Sequence, residues 1–194
     1  MNVLKGMPEL RKEVVKLSTA KRRGRDTAVL RMAHSGRLQK LRPGVYRSAT
    51  RDTWAHQDMA DACLAVPEGV ICLISALSYH GLTTTIPGET WIAIPKTSWV
   101  PRMTFPTRFI RLAEGAHGAG IEIVKIGGTK VRIYTKAKTV CDALRFRDKV
   151  GVEVAFEALK TFLRQGGLPD ELIQWEQVCR IKTTLRGYLS LLLA

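Results

Sequence analysis

Basic residues are concentrated in the first quarter of this 194-residue chain. Fourteen of its 31 lysines and arginines lie within residues 1–51, which contain only three acids, so this segment carries a formal charge of +11 and the rest of the chain only +3. A surplus confined in this way predicts that one end of the molecule binds a polyanion, and phosphate backbones are the simplest such partner. The chemistry expected of these side chains is ion pairing with phosphates and hydrogen bonding to base edges.

The candidate contact residues fall in a basic turn, a short helix and a hairpin. The turn comprises residues 21–25 and contains one glycine. Asp26 is a suitable N-cap and Gly36 a suitable C′ residue, which predicts a helix between them. Its inward face would contain Val29, Leu30 and Ala33, and its outward face Thr27, Arg31 and His34. The predicted DNA-binding residues are Arg22, Arg23, Arg25, Thr27, Arg31, His34, Arg37, Lys40, Arg42 and Arg47.

The elements that must position these side chains have the order of a winged helix-turn-helix. Apolar spacing predicts a first helix over residues 8–19. Residues 37–41 and 45–47 have the pattern of two strands, joined by Pro43 and Gly44, which favour a type II turn. The second helix would enter a major groove and the hairpin would lie against the backbone. The alternative is a small surface subdomain with a solvated basic face. Because the apolar core of this segment is thin, we expect it to need support from the rest of the chain.

The chain is predicted to be α+β, with a winged-helix domain at residues 1–51 and a larger mixed domain at residues 52–194. The expected strands cover residues 70–74, 90–95, 108–112, 121–126 and 130–134. Gly127 and Gly128 between the last two indicate a tight hairpin. The expected helices cover residues 54–64, 75–80, 137–147, 152–164, 170–179 and 184–193. Ser75 is the expected cap of the second of these helices, and residues 115–120 are interpreted as a glycine-rich loop.

A second candidate site lies on the helix that begins near residue 136. Lys138, Asp142, Arg145 and Lys149 are expected to face away from its buried stripe. The simpler interpretation is a solvated helix in which Asp142 and Arg145 form a weak ion pair. The functional interpretation is a second basic surface, formed by Lys136, Lys138, Arg145 and Lys149. In a DNA glycosylase acting in phage defence, Asp142 would be the catalytic residue, stabilising positive charge on the sugar or activating water.

Other chemistries have weaker sequence support. Cysteines 63, 72, 141 and 179 have apolar neighbours and are predicted to be buried free thiols. They and the four histidines lack the spacing of a zinc site, and no Walker-type phosphate loop is present. We therefore expect neither metal nor cofactor. No apolar run approaches the roughly 18 residues of a membrane span, and residues 1–20 do not resemble a secretory signal. A cytoplasmic location is expected.

Five segments have a specific order and spacing along the chain. They are GRLQKLRPGVY at residues 36–46, PEGVICLISALSYHGL at 67–82, WIAIP at 91–95, RIYTKAKTVCD at 132–142 and KVGVEVA at 149–155. Together they resemble the AbiEi-type antitoxins of type IV toxin–antitoxin systems, over most of the chain from residue 36 to about residue 190. The resemblance implies an N-terminal winged helix and a larger C-terminal domain. It also implies a repressor that binds double-stranded operator DNA and an antitoxin that counters a nucleotidyltransferase-like toxin.

Overall fold

The computed structural model describes residues 14–49 and 54–193. Helices and strands are mixed along the described chain, so the predicted α+β class is confirmed. Two sheets are present, one of three strands within residues 14–49 and one of five strands in the remainder. We call residues 14–49 the N-terminal module and residues 54–193 the C-terminal region.

The N-terminal module contains three strands and two helices. Its elements are β1 (Val14–Lys16), α1 (Leu17–Arg22), α2 (Asp26–His34), β2 (Leu38–Arg42) and β3 (Val45–Ser48). All the strand pairings are antiparallel, and β3 lies in the middle, giving the order β1-β3-β2. Gly44 has φ +76, as the predicted type II turn of the hairpin requires. The hairpin predicted from the sequence is therefore confirmed.

Two predicted helix boundaries in the module are wrong. The described part of the helix expected over residues 8–19 begins as strand β1, because Val14 and Val15 are β-branched and pair with β3; residues 8–13 lie outside the described residues. Asp26 is the first residue of α2, and the N-cap position belongs to Arg25. Asp26 in the first turn still favours the helix, since it faces the positive end of the helix dipole. The prediction for Gly36 holds, with φ +71 just beyond the helix.

The core of the module is small, and a second apolar cluster connects its hairpin to the C-terminal region. Its buried apolar residues are Val15, Ala20, Val29, Leu38 and Tyr46. Leu30, which was expected to face inward, is 40% exposed, and Met32 and Ala33 pack against this core. A separate cluster joins Leu41 and Val45 to Ala65, with Met103 and Phe105 packed against it. This agrees with the expectation that so thin a core needs outside support.

The five-stranded sheet forms the centre of the C-terminal region. Its strands are β4 (Val70–Ile71), β5 (Thr90–Pro95), β6 (Thr107–Leu112), β7 (Ile121–Ile126) and β8 (Thr129–Tyr134), in the order β6-β5-β4-β8-β7. Two neighbouring pairs, β5–β6 and β4–β8, are parallel, and the others are antiparallel. The predicted β7–β8 hairpin is confirmed, with both Gly127 and Gly128 at positive φ.

Helices cover both faces of this sheet. They are α3 (Gln57–Ala65), α4 (Leu73–Tyr79), α5 (Glu114–Gly118), α6 (Lys136–Arg145), α7 (Arg147–Val150), α8 (Val152–Arg164), α9 (Pro169–Ile173) and α10 (Lys182–Leu193). One face packs against α3 through Ile71, Ile92 and Ile133. The other face, which includes Val70 and Ala93, packs against a larger core that contains residues of α4, α6 and α8. Side chains that alternate along the strands thus fill two separate cores.

Several element boundaries differ from the sequence predictions. Helix α3 begins at Gln57 rather than at residue 54, after His56 in the left-handed region. Strand β4 ends at Ile71, and α4 begins at Leu73, so Ser75 lies inside the helix. Its hydroxyl oxygen accepts the Trp91 N–H at 2.9 Å and ties α4 to β5. The expected glycine-rich loop contains α5, and the helix expected over residues 170–179 is shortened to α9.

Among the described residues, no helix combines the length and the apolarity needed to cross a bilayer.

Candidate nucleic-acid interface

The described N-terminal module contains ten lysines and arginines and one acid, Asp26. Gly24, with φ +65, allows the chain to turn sharply between α1 and α2. The turn and its flanks carry Arg22, Arg23 and Arg25, of which the first two are exposed and the third is half-buried. The fold therefore gathers positive charge where two short helices meet, at the surface of the module.

Helix α2 presents one exposed polar face. Thr27, Arg31 and His34 are all exposed there, as predicted, while Val29 is buried against the module's core. Arg37 follows the helix and Lys40 lies on β2, and both are exposed as well. A threonine, an arginine and a histidine on one helical face can donate to phosphate oxygens or to base edges. The structure thus leaves these five predicted contact residues accessible.

Two predicted contact residues instead join the module to the C-terminal region. Arg42 donates through Nε to the carbonyl oxygen of Ala65 at 2.7 Å. The Arg47 Nε lies 2.6 Å from an Asp61 carboxylate oxygen, and both side chains are nearly buried. Burial raises the pKa of Asp61, and the neighbouring Arg47 acts in the opposite direction. Since the Nε of each contacts α3, these two arginines hold the hairpin in position.

The β5–β6 loop adds further contacts to the hairpin. The Thr104 backbone N–H donates to the Leu41 carbonyl at 3.0 Å, and its hydroxyl donates to the Lys40 carbonyl at 2.7 Å. Neither Thr104 nor Asp61 was predicted from the sequence. Asp61 had a detectable signal, because it is a single acid among Ala60, Ala62 and Cys63 on an otherwise apolar stretch of helix.

Replacing Arg47 with methionine is expected to lower the free energy of unfolding by about 1.5–3 kcal/mol, because the nearly buried Asp61 would lose its cation. Arg37→Met is the matched control: Arg37 is exposed, so its replacement should change stability by less than about 0.5 kcal/mol. Urea unfolding of the two variants makes the comparison. Equal stability of both variants, with DNA affinity lost only in Arg47→Met, would contradict the structural role of Arg47.

The second basic surface is smaller than predicted. Lys136 and Lys149 are exposed and Arg145 is half-buried, but Lys138 is completely buried, so its assignment to that surface is wrong. Helix α6 ends at Arg145, and Lys149 lies on the separate helix α7. The predicted members of this surface therefore belong to two short helices and do not form one continuous helical face.

Asp142 lies in the interior, paired with Lys138. Its side chain is 2% exposed, and one carboxylate oxygen lies 2.5 Å from the Lys138 Nζ. The other oxygen accepts a hydrogen bond from the Cys179 thiol at 3.3 Å. The Lys138 ammonium also lies over the Tyr134 ring, 4.5 Å from its centroid. Asp142 is therefore paired at i, i−4 with Lys138, not at i, i+3 with Arg145 as expected.

Three cysteines, Cys72, Cys141 and Cys179, lie near this pair, and no cysteine forms a disulfide. All four are free and buried, as predicted. Burial, with a contribution from the nearby Asp142, raises the pKa of the Cys179 thiol to about 12. Burial likewise raises the pKa values of Cys72 and Cys141. These thiols are protonated at neutral pH and fill space as small apolar groups. Within the described chain, no group of three or more His, Cys, Asp or Glu side chains is arranged to hold a metal ion.

His80 makes stability depend on pH. Its Nε2 lies 2.7 Å from the Tyr134 carbonyl oxygen, so this nitrogen carries the proton and donates it. Burial lowers the pKa of His80 below its usual range, although Glu122, 3.7 Å away, acts in the opposite direction. Burial also lowers the pKa of His117. Both histidines are therefore neutral in the folded state under conditions where the unfolded chain already binds protons.

Stability is accordingly expected to fall as the pH decreases below about 6.5, where the unfolded histidine takes up a proton. The slope for His80 is at most about 1.4 kcal/mol per pH unit, and it ends below the lowered pKa of the folded state. His80→Gln keeps a donor for the Tyr134 carbonyl and should flatten this slope, leaving the part due to His117. Urea unfolding of both proteins between pH 7 and pH 5 measures the slope of the unfolding free energy against pH. Identical slopes for both proteins would show that His80 does not titrate in this way.

No protein-family model matches the chain, and a search of curated proteins also finds no match.

Proposed function

We propose that this protein is a DNA-binding transcriptional regulator of the winged helix-turn-helix class. In this proposal α1 and α2 form the helix-turn-helix, α2 is the recognition helix, and the β2–β3 hairpin is the wing. The observation that carries the proposal is the succession β1-α1-α2-β2-β3 with the sheet order β1-β3-β2. This arrangement places a short helix pair beside a three-stranded sheet, as winged helices do.

Charge supports the same proposal. Arg22 and Arg23 at the turn, Arg37 after α2 and Lys40 on the hairpin are exposed, and they precede and follow α2 along the chain. Cations placed around a helix that enters a groove can bind the phosphates on both sides of it. Thr27 and Arg31 lie on the exposed face of α2, and we propose that they form hydrogen bonds to base edges in the major groove.

The resemblance to AbiEi-type antitoxins refines the proposal. A member of that family would repress its own operon and neutralise a nucleotidyltransferase-like toxin. We propose this role for the chain as the more specific form of the DNA-binding function. Its test is coexpression: growth arrest caused by a toxin encoded beside this gene should be relieved by the intact chain.

The glycosylase alternative has no support from the geometry of Asp142. The carboxylate is buried and held by Lys138 and Cys179, whereas a base-excision residue must reach an extruded nucleotide. We therefore propose a structural role for Asp142.

The proposed function is tested by selection from a pool of random DNA duplexes. We expect a few rounds of selection with the purified chain to enrich one sequence motif, since a recognition helix discriminates bases by hydrogen bonding. The Thr27→Ala, Arg31→Ala double variant should bind the same motif more weakly and enrich it less. A pool that remains random after selection would contradict sequence-specific binding.

A further inference from the structure

Four chain segments line an open cavity of about 380 Å³ where the N-terminal module meets the C-terminal region. They are the end of β2 with Arg42, residues 65–68 from the end of α3 into the α3–β4 connection, the end of β5 at Ile94 and Pro95, and the β5–β6 loop at residues 98–101. The cavity has the size of a small-molecule site, and such sites occur preferentially where separate structural units meet.

The lining combines an apolar wall with two charged groups. Val66, Ile94, Pro95 and Pro101 provide apolar surface. Trp99 is 73% exposed, so its indole contributes little to the core and offers a flat surface on which a ring can stack. Arg42 and Glu68 are also at the lining. Among the described residues, Arg42 donates only through its Nε, to the Ala65 carbonyl, so its remaining N–H donors suit an anion.

We propose that this cavity binds a small aromatic molecule carrying one anionic group and one amino group. The ring stacks on Trp99, the anion pairs with Arg42, and the amino group donates to Glu68. Nucleotides with an exocyclic amino group and aromatic amino acids share this chemistry, and the test distinguishes these two sources.

The position of the cavity links the ligand to the hairpin. The contacts that dock the hairpin come from the same segments: Arg42 with Ala65, and Thr104 with Lys40 and Leu41. A ligand held by Arg42 and by Trp99 therefore contacts both sides of this junction and changes the energy of the hairpin's orientation. This second step rests on the proposed DNA-binding function. Coupling of this kind changes affinity by about fivefold or more.

Calorimetric titration of the full chain with AMP and, separately, with L-phenylalanine tests the site. Adenosine and phenethylamine are the matched probes that lack the anion. We expect one of the two anionic probes to bind saturably and its matched probe to bind at least about tenfold more weakly, as loss of one charged contact implies. Saturable binding of AMP identifies the nucleotide class, and saturable binding of phenylalanine the amino-acid class. Absence of saturable binding for both would overturn the proposal.

Variants locate the binding. Trp99→Ala and Glu68→Gln alter exposed side chains, so both variants should fold. Each substitution should lower the affinity for the bound probe by about tenfold. Trp54→Ala removes the other strongly exposed tryptophan, which does not line the cavity, and should leave binding unchanged. Equal binding by the Trp99→Ala and Trp54→Ala variants would overturn the assignment to this cavity.

A final titration measures the duplex affinity with and without a saturating concentration of the bound probe. We expect the bound probe to change the duplex affinity by about fivefold or more. An unchanged duplex affinity would overturn the coupling, whereas a chain that binds the probe but no duplex would overturn the DNA-binding function and leave the ligand site supported. The two failures are therefore distinguishable.

Discussion

Replacing Asp142 with alanine is expected to lower the free energy of unfolding by about 3–5 kcal/mol, the largest effect of any single substitution considered. The reason is that Lys138 has no exposed surface and would remain buried without its carboxylate partner. The Cys179 thiol would lose its acceptor as well. Urea unfolding, followed by circular dichroism, measures the change.

The double variant Lys138→Met, Asp142→Leu is the matched control. It replaces the buried ion pair with apolar groups of similar volume, and such replacements are often neutral or stabilising. We expect it to recover most of the stability lost in Asp142→Ala, even where the single variant is too unstable to purify. If the single variant were as stable as the wild type, or if the double variant were less stable than the single one, this account of the pair would be wrong.

Replacing Arg31 with alanine is expected to weaken binding to the selected DNA motif by about 1–3 kcal/mol, if the guanidinium contacts a base edge. Arg31 lies on the exposed face of α2, and its side chain can form two parallel hydrogen bonds to a guanine. The affinity for the cognate duplex should fall by this amount, whereas the affinity for a scrambled duplex should change much less. Fluorescence anisotropy with both duplexes separates these contributions.

Arg164→Ala is the control for Arg31→Ala. Arg164 is also an exposed arginine near the end of a helix, but it lies on α8 in the C-terminal region and donates to Thr161. Its replacement should leave the affinity for both duplexes unchanged. A uniform loss on both duplexes in Arg31→Ala would reassign this residue to a phosphate contact, and no loss at all would remove it from the interface.

The local elements of this fold were largely predictable from the sequence. The two hairpins follow from Pro43 and Gly44 and from Gly127 and Gly128, because these residues favour specific turns whatever surrounds them. Helix α8 occupies the predicted residues because its apolar spacing extends over several turns. The strand at Val14–Lys16 was missed, since its pairing partner β3 lies about 30 residues further along the chain.

The candidate site was predictable only in part. Exposure of Thr27, Arg31 and His34 follows from helical periodicity alone. Burial of Lys138 and Asp142 does not, because α6 is covered on nearly all sides and leaves almost no face exposed to solvent. The engagement of Arg42 and Arg47 with α3 depends on tertiary contacts. A cation involved in such a contact looks the same in the sequence as one that binds DNA.

The most direct test of the central claim is the affinity of the full chain for a duplex as a function of salt. With about five phosphate contacts, the logarithm of the association constant should fall with the logarithm of the salt concentration at a slope of about −4.5. Replacing Arg22, Arg23 and Lys40 together with glutamine should make this slope shallower by about 2 to 3. Absence of duplex binding at low salt, or a slope near zero, would contradict the proposal that the N-terminal module binds DNA.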